Sequence, residues 1–145
     1  MAVDPTYLKN FHCFENLTEE QRKVIAEIAE AECFYPDHTL TEENQPGKFL
    51  YLLAKGEIEV LYNIGDSGPT RVDQMSAGEI VGCAALILPY QYTSTTISLT
   101  EIEVLIIDIK ALHRLMAEDC PLGFTIQQHV IALLMDRITN FRLSA

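Results

Sequence analysis

The sequence predicts an α+β fold: N-terminal helices, a jelly-roll-like β-roll and a long C-terminal helix. Three observations carry the prediction. Between residues 34 and 108 the hydrophobic period is two, and Gly, Pro and Asn divide the chain into short β-rich pieces. On either side, in 1–33 and 109–145, the spacing of apolar residues is helical. The last helix also carries two apolar stripes, where a helix packed on a single core needs one. The three segments are expected to form one domain, because 145 residues make one globular unit. At that length folding buries roughly 70% of the extended chain's surface, enough for a core without staples.

At the N-terminus Leu8, Phe11 and Phe14 recur every three residues, as on a short helix laid against a core. Thr18-Glu19-Glu20-Gln21 is a capping box that opens a second helix, with Val24, Ile25, Ile28 and Ala29 on one face and an end expected before Pro36. Strands are predicted over 49–54, 57–62, 70–75, 95–99 and 104–107, and so many short strands imply a roll or small barrel that protects its edges. Asp108 is well placed as the N-cap of a helix over 109–118, and Pro121 starts another that runs to about Arg142. Its first stripe is Ile126, Val130 and Leu133. The second is Phe124, Gln127, Ile131, Leu134, Ile138 and Phe141, alternating three and four residues as a coiled-coil seam does. A second stripe implies a second partner, most simply the same helix of another subunit. A homodimer interface is therefore expected at Ile131, Leu134, Ile138 and Phe141.

Charge and composition exclude several functions. The net charge is −11, and ten Lys and Arg residues spread singly cannot form the basic patch that grips a nucleic-acid backbone. No apolar run approaches the ~18 residues of a membrane span, and the N-terminus lacks the basic and apolar regions of a secretory signal. Cys13, Cys33, Cys83 and Cys120 form no C-x-x-C pair, and His12, His38, His113 and His129 form no i, i+4 pair. Neither a metal site nor a cofactor is expected, and the thiols read as reduced, in a cytoplasm. Gly65-Asp66-Ser67-Gly68-Pro69 matches the chymotrypsin-type serine motif, but that family needs two barrels, and here the motif has the turn chemistry of a hairpin loop. No catalytic residue is assigned.

The order of these pieces resembles the cyclic-nucleotide-binding domain family, in particular the sensor half of bacterial catabolite-activator-type regulators. The resemblance runs from about Leu8 to Arg142. It is carried by Phe11, Phe14 and Leu17 before a helix, by the strand–Gly–strand sequence FLYLLAKGEIEV over 49–60, and by GEIVGCAAL over 78–86. The stretch 102–112 leading into Pro121 and the long helix completes it. The resemblance implies a phosphate-binding cassette over 78–95, with a short helix beginning near Gly82 whose free N–H groups face an anion. In the family a Glu just after that Gly holds the ribose hydroxyl, and an Arg roughly ten residues on pairs with the cyclic phosphate. Here those positions carry Cys83 and Thr93, and no Lys, Arg or His occurs from Val72 to Leu99. Losing both anchors costs about 2–4 kcal/mol, or ~30- to 1000-fold in affinity. The candidate ligand contacts are Gly82, Cys83, Ala84, Ala85, Tyr92, Thr93 and Ser94.

Three readings of the cassette follow. It survives as a scaffold, it takes a less anionic ligand, or it binds a cyclic nucleotide weakly through backbone amides, Thr93 and Ser94. Cys83 reads either as a small hydrophobe in the place of Glu or, at a helix N-terminus, as a thiol of lowered pKa that senses redox state or electrophiles. Complete transcription regulators of this type carry a DNA-binding helix-turn-helix after the long helix, a segment beyond Ala145. The expected function is non-enzymatic sensing or regulation, with an oligomerisation module around an empty pocket as the alternative.

Overall fold

The computed structural model describes residues 3–144. Three helices, α1 (Glu19–Glu27), α2 (Ile109–Glu118) and α3 (Cys120–Ser144), flank eight strands. The strands are β1 (Ala29–Phe34), β2 (Thr39–Thr41), β3 (Phe49–Lys55), β4 (Ile58–Asn63), β5 (Pro69–Met75), β6 (Ile80–Val81), β7 (Thr95–Ser98) and β8 (Ile102–Asp108). They make two antiparallel four-stranded sheets, ordered β1-β8-β3-β6 and β2-β7-β4-β5, the two layers of the expected roll.

The central strands of the first sheet, β8 and β3, are buried on both faces. Register puts Leu50, Leu52, Leu105 and Ile107 on one side, against α1, α2 and α3. Tyr51, Leu53, Val104 and Ile102 lie on the other, against Leu40, Ile58 and Val60 of the second sheet. The uninterrupted apolar run of β3 follows from this position between two cores.

The N-terminal segment departs from expectation in two places. Residues 5–10 and 12–14 form 3-10 turns, not an α-helix. A spacing of three is the 3-10 repeat, and it buries Leu8, Phe11, Phe14 and Leu17 in one line. Helix α1 then stops at Glu27, and 29–34 is a strand paired with β8 along its whole length, so the roll starts five residues before 34. Ala29 and Ala31 turn to the helical core while Glu30 and Glu32 alternate away, a period of two concealed by small residues. Val24, expected on the buried face of α1, is exposed, and Arg22 is buried instead. The capping box is present: the Gln21 N–H donates to Thr18 Oγ1 at 3.1 Å and the Thr18 N–H to Gln21 Oε1 at 2.9 Å. Asp108 caps α2 through the Ala111 N–H at 2.9 Å.

Arg22 explains how the 3-10 turns join α1. Its guanidinium donates to the carbonyls of Glu15 (3.4 Å) and Leu17, and at 3.5 Å to that of Phe14, which also accepts from the Leu17 N–H, at the C-terminal end of the turn segment. Among the described residues it has no carboxylate in ion-pair contact. Arg22→Met should keep the packed stem but strand the Glu15 and Leu17 carbonyls, lowering the unfolding free energy by about 2–3 kcal/mol. Urea titration followed by circular dichroism measures this, and a loss below about 0.5 kcal/mol would show that the carbonyls find other partners.

Candidate functional site

The segment expected as a cassette, 78–95, falls on β6 and on the connection from β6 to β7, residues 82–94. Gly82 enters it in the left-handed region (φ 87°), and a Cβ there would stand 2.8 Å from Tyr92 Cε1, so the position admits no side chain. Cys83–Leu86 is a single 3-10 turn, shorter than a helix with a developed dipole.

Three sets of contacts fix this segment in place. The Tyr92 hydroxyl accepts from the Phe49 N–H (3.0 Å) and donates to the Phe49 carbonyl (2.7 Å), which pins the cassette to the start of β3. Residues 44–47 run beside 90–92: Asn44 N–H donates to Tyr92 O, Tyr92 N–H to Gln45 O, and Gly47 N–H to Tyr90 O, at 2.8–3.0 Å. From α2, His113 Nε2 donates to the Leu86 carbonyl at 2.7 Å, which requires its proton on that nitrogen, and the Tyr90 ring meets the imidazole edge-on at 5.3 Å. The sequence singled out Tyr92 as a ligand contact, but not its clasp on Phe49 nor the role of His113. Tyr92 and His113 lie 43 and 27 residues from the groups they hold.

The structure distributes the candidate contacts over three environments. Cys83 (3% exposed), Ala85 and Tyr92 are buried in the helical core, Gly82, Ala84 and Ser94 are half-buried, and Thr93 is exposed. The Thr41 hydroxyl donates to the Ser94 carbonyl at 2.9 Å, and Thr95 Oγ1 accepts from the Glu43 N–H at 3.1 Å, tying the end of the cassette to β2. Two surface grooves of about 500 Å³ each lie elsewhere: one runs along α1 and β1, the other between α2 and α3 beside Met116, Cys120 and Phe124.

Cys83 corrects one expectation. Burial pushes its thiol pKa above the usual value, while the Arg137 guanidinium on α3 and the residue's own backbone N–H offset this only in part. Desolvation outweighs whatever one 3-10 turn supplies, so the small-hydrophobe reading of Cys83 holds and the activated-thiol reading does not. Arg137 is a residue the sequence reading missed, a cation brought toward a cassette that has none of its own. It approaches from the helical side, where Ile126 and Val130 seat α3 on the core. Along the same helix Ile131 and Ile138 are exposed (56% and 52%), as are Phe124 and Met135, whereas Leu134 packs partly on the core. The Phe141 side chain lies outside the described residues.

Comparison with known proteins bears on this geometry. A family model described as "Cyclic nucleotide-binding domain" matches residues 31–119. A cAMP-dependent protein kinase regulatory subunit of Colletotrichum orbiculare is 28% identical over 110 residues, which cover 76% of this chain and 27% of the relative. The chain thus spans about a quarter of the length of that relative. A candidate cyclic nucleotide-binding protein of Geobacter metallireducens GS-15 superposes with a TM-score of 0.84 at 29% identity, covering 94% of this chain and 98% of the other. The catabolite activator protein of Thermus thermophilus superposes with a TM-score of 0.74 at 17% identity, covering 91% and 60%.

The buried thiols give a pH dependence. Cys13 and Cys83 stay protonated in the folded protein well above the ordinary thiol value of 9.0, because burial raises both. In the unfolded chain they ionise near that value, so the folded state binds more protons at alkaline pH. Their contribution to stability is intact below pH ~9 and declines above it by up to about 1.4 kcal/mol per pH unit for each thiol. Cys13→Ala and Cys83→Ala should each flatten this decline in urea titrations between pH 8 and 10.5. Iodoacetamide should label exposed Cys33 and Cys120 first. Labelling of Cys83 before either would contradict its burial.

Proposed function

The chain belongs to the cyclic nucleotide-binding domain family, and we propose that within it this domain is a regulatory module that does not bind cyclic AMP or cyclic GMP tightly. The observation that carries the reading is that Cys83 is packed into the helical core and Thr93 is exposed, at the two positions where the family resemblance expects the ribose-holding Glu and the phosphate-pairing Arg. A cyclic phosphate entering here would lose hydration against neutral donors alone, and such bonds are about half as strong as charge-assisted ones. The domain performs no catalysis. Its output passes through assembly and through the contacts between cassette and α2.

The exposed apolar stripe of α3 supports pairing with a second copy of the chain. Phe124, Ile131, Met135 and Ile138 lie at heptad-like spacing on the side of α3 turned away from its own core. An oligomerisation module with an unoccupied roll shares this surface, and ligand titration separates the two readings.

Isothermal titration should give a Kd no tighter than about 100 μM for both cyclic nucleotides, roughly −5.5 kcal/mol. The double variant Cys83→Glu, Thr93→Arg should bind at least ~30-fold more tightly, the return on one or two charge-assisted bonds. A low-micromolar Kd for the wild type would overturn the reading. In a separate measurement, Ile131→Glu with Ile138→Glu should convert dimers to folded monomers by light scattering, because like charges would face each other across the two-fold axis. A wild-type protein that stays monomeric at concentrations of ~1 mM rules the seam out.

A further inference from the structure

The fold brings together two histidines that the sequence leaves far apart. His12 lies on the 3-10 turn 12–14 and His129 on α3, and their rings meet with centroids 5.2 Å apart and planes at 79°. Each ring has one nitrogen engaged. His12 Nδ1 donates to Glu15 Oε1 at 3.0 Å, so the neutral imidazole keeps its lone pair on Nε2. Asn16 meets His129 Nε2 at 3.2 Å. With its amide turned to present the oxygen, Asn16 accepts from an Nε2–H and leaves the His129 lone pair on Nδ1. A polar group behind the imidazole is the outer support that metal-binding histidines use. It fixes the tautomer, and a carboxylate also makes the free nitrogen more basic.

The backbone on both sides is held by the core. His12 stands between Phe11 and Cys13, which are 1% and 2% exposed, and His129 precedes buried Val130. Arg22 clasps the carbonyls of Glu15 and Leu17, on either side of Asn16. Two well-seated elements therefore present the pair, while the His12 side chain itself is 79% exposed and open to an ion from solvent. The separation suits a shared ion. Two imidazoles on one tetrahedral ion, with metal–nitrogen bonds of ~2.1 Å, have ring centres roughly 5.3 Å apart, and the ion imposes no angle between the ring planes. Charge agrees, because Glu15 lies beside the pair and the whole chain carries −11.

We propose that His12 and His129 bind one divalent late transition-metal ion, with Zn²⁺ as its representative, and that the ion fastens the 3-10 turn to α3. No group of three His, Cys, Asp or Glu side chains placed to hold a metal occurs among the described residues, so water completes the coordination of the two imidazoles. Nitrogen donors suit zinc, nickel and copper, and do not suit Mg²⁺ or Ca²⁺. Neither histidine belongs to the cassette, so the proposal stands apart from the question of nucleotide binding.

Zinc chloride titrated into the whole chain should reveal a saturable site with a Kd tighter than about 100 μM, and magnesium chloride should not. In protein labelled with ¹⁵N-histidine, zinc should shift the imidazole resonances of His12 and His129 and leave those of His38 and His113 in place. His12→Gln removes a ligand at an exposed position and should weaken zinc at least ~10-fold, and Glu15→Gln should weaken it ~10- to 100-fold through the lost support. Exposed Cys33 and Cys120 also attract zinc, so the variant Cys33→Ser, Cys120→Ser should keep the histidine shifts and their affinity. Amide exchange at residues 12–16 and around 129 should slow with zinc in the wild type and not in His12→Gln. Zinc that moves neither imidazole, or binding that survives His12→Gln and vanishes with the two thiols, overturns the metal site. Binding at the imidazoles with no change in amide exchange overturns the fastening of the turn to α3.

Discussion

The fold depends on one constraint: β3 must bury both of its faces. Leu50 and Leu52 close the helical core while Tyr51 and Leu53 close the core between the sheets, so a single strand couples the two halves of the domain. A strand in that position has no solvated face, and a shift of one residue would exchange the two sets of side chains. Pairing with β8 over most of its length fixes the register, and β8 runs directly into the Asp108 cap of α2. The position of α2, and through it of α3, is therefore set by a strand register.

The cassette is attached to the same strand. Tyr92 bonds both backbone groups of Phe49, and Leu53 exchanges backbone bonds with Gly78 and Glu79 on the way into β6. At the far end of the 3-10 turn, His113 holds the Leu86 carbonyl. Cassette, β3 and α2 thus form a closed loop of direct contacts. A change in the cassette backbone must alter the Tyr92 clasp or the His113 bond, and the second reaches α2 without passing through the roll. These contacts run through backbone carbonyls and neutral side chains alone, so the physical link between cassette and C-terminal helices needs no charged ligand.

The sequence and the structure agree where one local signal dominates. The capping box, the Asp108 cap and helix 109–118 were legible because each is written within a few neighbouring residues. The strand pattern from 49 to 63 was legible because an apolar run (49–54) and an alternating stretch (57–60) are separated by Lys55-Gly56. Strand β1 was hidden because Ala29 and Ala31 carry little hydrophobic signal, and β2 and β6, at three and two residues, are too short to show a period. The 3-10 turns were visible as a spacing of three but were assigned to the wrong helix type. The site was less legible. The identities at Cys83 and Thr93 could be read, but not their surroundings. Tyr92, His113 and Arg137 act on groups far away in the chain, which no local pattern announces.

The residues at the anchor positions are consistent with one another as a set. A Glu in the place of Cys83 would have to remain charged beside Cys13, Ala85 and Leu86 under α3, and a carboxylate so placed requires a counter-ion. Arg137 is the cation whose field already reaches that position, but it lies on the helical side and not between the sheets. With cysteine there, the site joins the apolar cluster and needs no counter-ion at all. Within the proposed reading, the same residue stands where the ribose hydroxyl would find its acceptor, so the side chain that closes the cassette onto its core is also the one that would weaken the hold on a cyclic nucleotide.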